Sequence, residues 1–342
     1  MLTLALSSGV WAVDPKPEIT MLFALLGTTA FGVYLASRFS LEELFEIIIL
    51  SNITIIFLSY AFAILLPHYG IMDAKHAGAW RGVFTHKNAL GKSMVFCLSI
   101  AALATFSKHR LFSKHIKVSH LGKVALPLSF LLLLLSASTG SLLNSFIALL
   151  LLLCFNLIKL PKRLITSSSI TMTMAFVSLI FFLVIGIVEP VLSAFGKDLT
   201  LTGRTYIWPL AIEKIQERPL LGYGYFSFWH GLNGESADIV RALRWPVPNS
   251  HNGFIDLALY LGLAGLLIFL ISFLCTFIRS VFWIRINKSA ISFWPLIYII
   301  YFAQINMTES SMIARNNIFW ILYIAVAYSL SYEMKTDGNI NI

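Results

Sequence analysis

The sequence predicts an all-α protein built from transmembrane helices. Apolar residues make up 58% of its 342 residues and charged residues only 12%, whereas soluble globular proteins carry about 25% charged residues. The mean hydropathy is +0.82. Runs of about twenty apolar residues recur along the chain, and a helix needs this length to cross a hydrocarbon core of roughly 30 Å. We therefore predict a polytopic bundle with about nine spans. It forms one membrane domain over residues 1–342, with its core at 78–335.

The apolar segments, taken in order, locate these helices. Residues 1–13 are too short to span a membrane, and a polar break at 14–18 follows them. The apolar stretch 124–158 is interrupted by the Ser/Gly-rich residues 136–141, where we expect two short helices to turn. The other predicted helices are 19–36, 44–66, 88–107, 165–188, 253–278, 290–304 and 316–332.

The basic loops predict the orientation of the bundle. Segments 108–123 and 159–163 are rich in Lys and Arg, and the positive-inside rule places both in the cytoplasm. Both basic segments can lie on the same side of the membrane only if the chain turns back between them, at 136–141. The parity of the helices then brings three segments out on the same outer face: 67–88, 189–250 and 305–315. We expect the long loop, 189–250, to contain short helices.

Six of the eleven arginines lie in these outer segments, where the positive-inside rule does not explain them. Three of the six stand beside Gly or Pro: Arg81 in WRGVFTHKNALG, Arg204 in TGRTYIW and Arg218 in ERPLLGYGYF. Because a guanidinium presents a planar fork of donors that matches a phosphate, these arginines predict a site for a phosphorylated lipid head group. Arg241 and Arg244 fit an ordinary solvated loop equally well.

His251 is the candidate general base. It opens a predicted membrane helix after Asn249 and Ser250, which are both good capping residues. Because the positive end of a helix dipole disfavours a protonated imidazole, we expect a neutral side chain that can accept a proton. Asn252 and Asp256 follow at i, i+4 spacing and either orient His251 or satisfy each other. A histidine that merely lies at the membrane interface is the alternative.

The acidic residues of the outer segments do not predict a metal site. They contain no pair of carboxylates like a DxD motif, and His68, His76 and His86 share a loop at spacings that suit no helical metal face. We therefore expect no metal and no other cofactor. The eight scattered carboxylates are Asp73, Glu189, Asp198, Glu213, Glu217, Glu235, Asp238 and Glu309.

Three segments, in this order and separation, resemble the O-antigen ligase and polymerase superfamily: RGVFTHKNALG, TGRTYIWPLAIEKIQERPLLGYGYFSFW and NSHNGFIDLALYLGLAGLLIFL. Within it, the likeness is to exopolysaccharide-polymerisation and O-antigen ligase-like proteins. The resemblance covers roughly residues 10–335, with its motifs in 78–92 and 200–266. Family members generally carry further helices before the region where this chain begins, so we expect N-terminal helices to be missing from it.

The resemblance implies transfer of a glycan from an undecaprenyl-diphosphate carrier to an acceptor hydroxyl at the periplasmic face of the bacterial inner membrane. It implies that Arg204 and His251 are catalytic. Arg204 and Arg218 would together hold the diphosphate, and His251 would activate the acceptor. Substrate-binding roles are implied for Arg81, Arg218, Lys87 and Asn252. The expected partners are the lipid-linked donor, a glycan or lipid acceptor and the bilayer, with no nucleic acid.

The chemistry of the residues agrees with this role. A glycosyl diphosphate already holds a good leaving group, so transfer needs neutralisation of the departing charge and deprotonation of the attacking hydroxyl. Arginines and one neutral histidine supply both, and a single displacement inverts the anomeric centre. Ligase and polymerase share these features, so that choice stays open. A transporter or flippase of lipid-linked sugars is the alternative function, but its ionisable groups should be buried within the helices.

Overall fold

A computed structural model describes residues 1–73, 76–111, 116–145, 148, 204–287 and 289–336. Within these ranges the chain forms helices and turns without a β-strand, and only two isolated bridges join Ile71 to Trp80 and Arg110 to Lys117. The predicted all-α fold is confirmed. The α-helices are α1 Leu2–Ser7, α2 Pro15–Arg38, α3 Leu41–Leu65, α4 Pro67–Gly70, α5 Lys87–Thr105, α6 Val118–Leu135, α7 Arg204–Glu217, α8 Ala237–Leu243, α9 Gly253–Ile286, α10 Trp294–Ile305 and α11 Ile318–Thr336.

The described helices include five that are long and apolar enough to cross a membrane. These five are Thr20–Arg38, Leu41–Leu65, Lys87–Thr105, Val118–Leu135 and Gly253–Ile286, and the shorter apolar helices are Ala290–Ile305 and Ile318–Glu333. They match the helices predicted from the apolar runs, and the chain is a multi-pass membrane protein. The predicted helix 165–188 and residues 189–203 of the long loop lie outside the described residues. The total of about nine spans therefore stays a prediction.

Local sequence signals set two of the helix ends. Ser40 and Glu43 form a capping box at the start of α3, in which Ser40 N donates to Glu43 Oε2 at 2.8 Å and Glu43 N donates to Ser40 Oγ at 3.3 Å. At the predicted Ser/Gly break, α6 ends at Leu135 and Ala137 takes a positive φ of 47°. Residues 139–145 are helical again, so the predicted break between two helices is confirmed. Most of the second helix lies outside the described residues, and the turn back across the membrane stays a prediction.

The chain divides into two compact units. One combines Met1–Leu44, Thr200–Lys288 and Ile299–Ile342, and the other combines Phe45–Leu199 with Ser289–Tyr298. In the second unit, α5 and α6 approach closely because Gly122 has no side chain; a Cβ there would lie 2.5 Å from the Thr105 backbone nitrogen. The assignment of residues 1–342 to one membrane domain stays a prediction.

The first unit contains the segments that carry most of the predicted site residues. In it, α2 lies against α11, and a Cβ at Gly32 would come within 2.8 Å of the Ile321 carbonyl oxygen. Helix α9 joins α11 through Ser272 Oγ and Tyr323 OH, 2.8 Å apart, and the Tyr323 ring stacks on Phe302. This packing fixes the start of α9 and the loop between α10 and α11 within one unit.

Candidate active site

Arg204 is the first residue of α7, and only 7% of its surface is exposed. Its guanidinium donates a hydrogen bond to the Thr308 carbonyl oxygen and another from Nη2 to Glu309 Oε1, at 2.8 Å. A cation at a helix N-terminus is disfavoured by the helix dipole, and the carboxylate of Glu309 offsets this cost. The arginine of the TGR motif therefore lies against the loop between α10 and α11.

His251 lies in a tight turn just before α9, with a left-handed φ of 53°. Its backbone nitrogen donates to Asn249 Oδ1 at 2.8 Å. The imidazole Nδ1 is buried and makes no hydrogen bond within the described part of the chain, and Glu309 Oε2 lies 3.8 Å from it. This distance is too long for a hydrogen bond. The imidazole and the carboxylate nonetheless face each other, and the histidine side chain is 22% exposed.

Glu309 therefore connects the two residues that the sequence predicts to be catalytic. One of its carboxylate oxygens binds Arg204, and the other faces His251. The sequence motifs do not single out this residue, which is one of the scattered carboxylates of the outer segments. One signal could have found it, because Glu309 is the single Asp or Glu in 305–317, the polar stretch between two apolar segments.

The N-cap of α9 is Asn252, which corrects the prediction that Asn249 and Ser250 cap this helix. Asn252 Oδ1 accepts hydrogen bonds from Phe254 N at 3.0 Å and Ile255 N at 3.3 Å. Ser250 instead stabilises the turn, since its hydroxyl donates to the Asn252 carbonyl oxygen at 2.8 Å. His251 thus precedes the cap rather than opening the helix. The substrate-binding role of Asn252 stays a prediction.

Asp256 holds the histidine turn from within α9. The residue is 2% exposed, and its carboxylate accepts hydrogen bonds from Trp229 Nε1 at 2.9 Å, from Ser250 N at 3.0 Å and from the Ser310 hydroxyl. Ser250 precedes the histidine and Ser310 follows the glutamate, so one carboxylate fixes both segments. Of the two predicted alternatives, these bonds favour orientation of the histidine turn over pairing with Asn252.

Asn306 fixes the loop that carries the glutamate. It is fully buried, and its Oδ1 accepts from Ser311 N at 2.8 Å and Met312 N at 3.0 Å. Its carbonyl oxygen accepts from Gly253 N at 2.8 Å. Residue 253 has to be glycine for this approach, because a Cβ there would lie 2.2 Å from Asn306 Oδ1. The beginning of α9 and the glutamate loop are therefore held together.

Arg218 lies beyond the opposite end of α7 from Arg204. The helix has 14 residues, which separates the two by about 20 Å at 1.5 Å per residue. Arg218 is exposed, and its guanidinium carbon lies 5.1 Å from the centre of the Tyr223 ring. The structure therefore brings Arg204 and His251 together around Glu309 but leaves Arg218 apart from them. The expectation that Arg204 and Arg218 hold one diphosphate together is corrected, because about 20 Å of helix lies between them.

The surroundings of Arg218 form a small polar network. Lys214 Nζ lies 2.9 Å from Glu217 Oε1, and the Tyr223 hydroxyl donates to Glu217 Oε2 at 3.0 Å. The hydrogen bond from Lys214 holds the pKa of Glu217 below its usual value. Burial raises the pKa of Tyr223, and its hydrogen bond to Glu217 raises it further. The end of α7 is therefore joined to the following turn by a hydrogen bond between the protonated Tyr223 hydroxyl and the charged Glu217 carboxylate.

Arg81 and Lys87 belong to the second unit, where both bind backbone carbonyl oxygens. Arg81 donates from Nε to Tyr69 at 2.7 Å and from Nη2 to His68 at 2.8 Å. Lys87 is the first residue of α5, and its Nζ donates to the Ala137 carbonyl oxygen at 2.8 Å. These contacts stabilise the loop that carries the RG and HKN motifs. The substrate-binding roles of both residues stay predictions.

Among the described residues, no group of three or more His, Cys, Asp or Glu side chains is arranged to hold a metal ion. The chemistry available around Glu309 is therefore that of a buried guanidinium, a carboxylate and an imidazole. Metal independence itself stays a prediction, which a chelation experiment can test.

Comparison with known proteins supports the resemblance seen in the motifs. Residues 124–270 match the family model described as O-antigen ligase, and this range contains Arg204, Arg218 and His251. Over 59% of this chain, the sequence is 30% identical to the exopolysaccharide production protein ExoQ of Rhizobium meliloti. The middle of the chain, from 124 to 270, is therefore similar to the O-antigen ligase family.

A second similar protein comes from Rickettsia conorii and is provisionally named as a polysaccharide ligase. It is 39% identical over 20% of this chain. The matches cover 46% of the Rhizobium protein and 17% of the Rickettsia protein, so the chain spans less than half the length of either relative. The resemblance predicted from the three motifs is confirmed over the matched residues. The activity of the whole protein is a matter for proposal.

Proposed function

We propose that this chain is a glycosyltransferase that moves a glycan from an undecaprenyl-diphosphate carrier to an acceptor hydroxyl, on the periplasmic face of the bacterial inner membrane. The observation that carries the proposal is the convergence of Arg204 and His251 on Glu309. Such a transfer needs a cation for the leaving diphosphate and a base for the acceptor proton. The names of the two relatives, an exopolysaccharide production protein and a polysaccharide ligase, support the same class of reaction.

Arg204 is the group that we assign to the diphosphate. A guanidinium has five N–H donors, and two of its hydrogen bonds to described residues go to Thr308 and Glu309. The other N–H groups can bind phosphate oxygens, and burial reduces the screening of this attraction by water and salt. Glu309 fixes the plane of the fork. Arg204 would therefore stabilise the charge that develops as the diphosphate departs.

His251 is the base in this proposal. Its Nδ1 faces Glu309, so we assign the ring proton to Nδ1 and the basic lone pair to Nε2. The acceptor oxygen attacks the anomeric carbon, the bond from that carbon to the phosphate oxygen breaks, and the electron pair leaves with the diphosphate. The acceptor proton passes to Nε2, and Glu309 stabilises the imidazolium that forms. One displacement inverts the anomeric centre, and neither step requires a metal ion.

The other predicted residues keep substrate-binding roles in this proposal. Arg81, Lys87 and Asn252 would contact the donor or the acceptor. Arg218 lies about 20 Å from Arg204 along α7, so it would bind a part of the lipid-linked donor that Arg204 does not reach.

The glycan profile of a strain that lacks this chain tests the proposal and separates its two forms. If single repeat units remain attached to the acceptor while long chains disappear, the protein is a polymerase. If attachment disappears while carrier-linked polymer accumulates, it is a ligase. An unchanged profile, in a strain where the restored chain is folded in the membrane, would contradict both forms.

A further inference from the structure

Helix α9 is interrupted at Gly262, where the backbone has φ 64° and ψ −170°. The segment 218–224, which carries the RPLLGYG motif, forms hydrogen bonds to both sides of this interruption. Leu263 N donates to the Pro219 carbonyl oxygen at 2.7 Å, and Tyr223 N donates to the Leu259 carbonyl oxygen at 2.8 Å. The turn of this motif thus satisfies the backbone groups that the interrupted helix leaves unpaired.

The two halves of α9 differ in their exposure. From residue 253 to 262, every residue is buried or half-buried. From Leu263 onward, an exposed apolar stripe begins, with Leu263 at 49%, Leu267 at 59%, Ile271 at 55% and Leu274 at 54% exposed. Exposed leucine and isoleucine at this helical spacing are typical of a face that contacts lipid. The first half is therefore covered by protein, and lipid contact begins at the interruption.

The second half of α9 is long enough to cross the membrane by itself. From Leu263 to Ile286 it measures roughly 36 Å at 1.5 Å per residue, whereas the hydrocarbon core is about 30 Å thick. The boundary of the hydrocarbon core therefore falls close to Gly262. The turn that is hydrogen-bonded to Leu263 lies at the same level.

We propose that the Leu220–Leu221 turn inserts into the bilayer interface, on the side of the membrane that carries residues 204–250. Leu220 is 72% exposed and Leu221 is 43% exposed, and neither forms part of the core of the unit. Arginine and tryptophan side chains are common at the membrane interface, and one of each adjoins this turn. Arg218 is exposed on one side of the turn, and Trp11 Nε1 donates to the Leu221 carbonyl oxygen. The turn is hydrogen-bonded to the residues where the exposed apolar stripe begins, since Leu263 N donates to the Pro219 carbonyl oxygen and Ala264 N donates to that of Leu220. We therefore take phospholipid as its occupant rather than a second protein surface.

Insertion of the turn would also determine the height of the residues around Glu309 above the membrane. The first half of α9, from Gly253 to Gly262, would rise about 14 Å above the boundary of the hydrocarbon core. His251 and Glu309 would then lie outside the hydrocarbon, in a segment that the turn anchors to the membrane surface.

Nitroxide labelling of the full chain in liposomes tests the insertion directly. The native cysteines are first replaced (Cys97→Ala, Cys154→Ala, Cys275→Ser), and Leu220→Cys or Leu221→Cys is then labelled. Collisions with oxygen, which concentrates in lipid, should exceed collisions with a water-soluble nickel chelate at both positions. The measurement does not depend on enzymatic activity.

Leu232→Cys is the matched control, because Leu232 is 60% exposed on the same extramembrane segment. Trp229, close to it in sequence, contacts Asp256, which lies about 9 Å from Gly262 along α9. A label at 232 should collide mainly with the nickel chelate. Preference for the chelate at 220 would put the turn in water, and protection from both reagents would put it against protein or a second copy of the chain. Either result would overturn the proposal.

Discussion

At the level of single residues, the Glu309 carboxylate binds Arg204 and faces His251. Glu309→Gln keeps the size of the side chain but removes its charge from Arg204 and His251. Because hydrogen bonds to charged groups contribute about 1.5–3 kcal/mol, we expect a roughly 10- to 150-fold lower single-turnover rate. Glu213→Gln, at an exposed position of α7, is the control and should leave the rate unchanged. Equal rates for both variants would remove Glu309 from the mechanism.

His251→Ala separates a catalytic role from a structural one. If His251 is the base, the variant should bind the donor almost normally while the chemical step slows by roughly 10²- to 10⁴-fold. Donor affinity and single-turnover rate should be measured on the same preparation. A normal rate for each folded molecule, with less folded protein in the membrane, would show that the histidine only supports the turn before α9.

Arg204→Lys tests whether the geometry of the guanidinium matters beyond its charge. Lysine keeps the charge but cannot hold Glu309 and a phosphate with one planar fork, so we expect a loss on the order of 1–3 kcal/mol. Donor binding and turnover should both fall. Arg241→Lys is the control, because the Arg241 side chain is 65% exposed. A variant with normal donor affinity would contradict the assignment of Arg204 to the diphosphate.

At the level of elements, the interruption of α9 depends on glycine. In Gly262→Ala, the combination of φ 64° and ψ −170° is one that essentially only glycine adopts, at a cost on the order of 1–3 kcal/mol for alanine. The added Cβ would also meet the Leu220 carbonyl oxygen at 2.2 Å. We expect a lower Tm in detergent. Gly27→Ala in α2 is the control, since a Cβ there meets nothing within 4 Å. An unchanged Tm for Gly262→Ala would mean that the turn at 218–224 does not fix this part of the helix.

The sequence predicts helices better than it predicts their contacts. Apolar runs locate the long helices because length and hydropathy are local properties, and the Ser/Gly break after Leu135 is readable for the same reason. The cap of α9 is displaced by two residues, since Asn249, Ser250 and Asn252 all favour caps and only the tertiary contacts select one. The interruption of α9 at Gly262 cannot be predicted from hydropathy, because the surrounding sequence is continuously apolar.

The candidate site shows the same division. Arg204 and His251 can be recognised in the sequence because each belongs to a motif. The role of Glu309 can be recognised only from the structure, because the residues that it approaches, Arg204 and His251, are more than fifty positions away in the chain. The separation of Arg204 from Arg218 is likewise a property of α7 as a rigid element. The motifs therefore predict which side chains are candidates, and the fold shows which of these side chains lie close together.

At the level of the whole molecule, the orientation of the chain can be tested in intact cells. The basic segment 108–123 is expected inside and residues 189–250 outside. In a background without native cysteines, an impermeant thiol reagent should modify Glu235→Cys and leave His115→Cys unmodified. Modification of position 115 alone would reverse the topology, and the periplasmic location of the proposed reaction would be wrong.

Transfer can be measured with the purified full chain in liposomes, given a labelled glycan on undecaprenyl diphosphate and an acceptor. We expect the label to move to the acceptor while undecaprenyl diphosphate is released. The product should have the inverted anomeric configuration, and the rate should be unchanged in EDTA. His251→Ala should retain the bound donor without transferring it. If folded wild-type protein leaves the label on the carrier, or if transfer stops in EDTA and returns with magnesium or manganese, the proposed mechanism is contradicted.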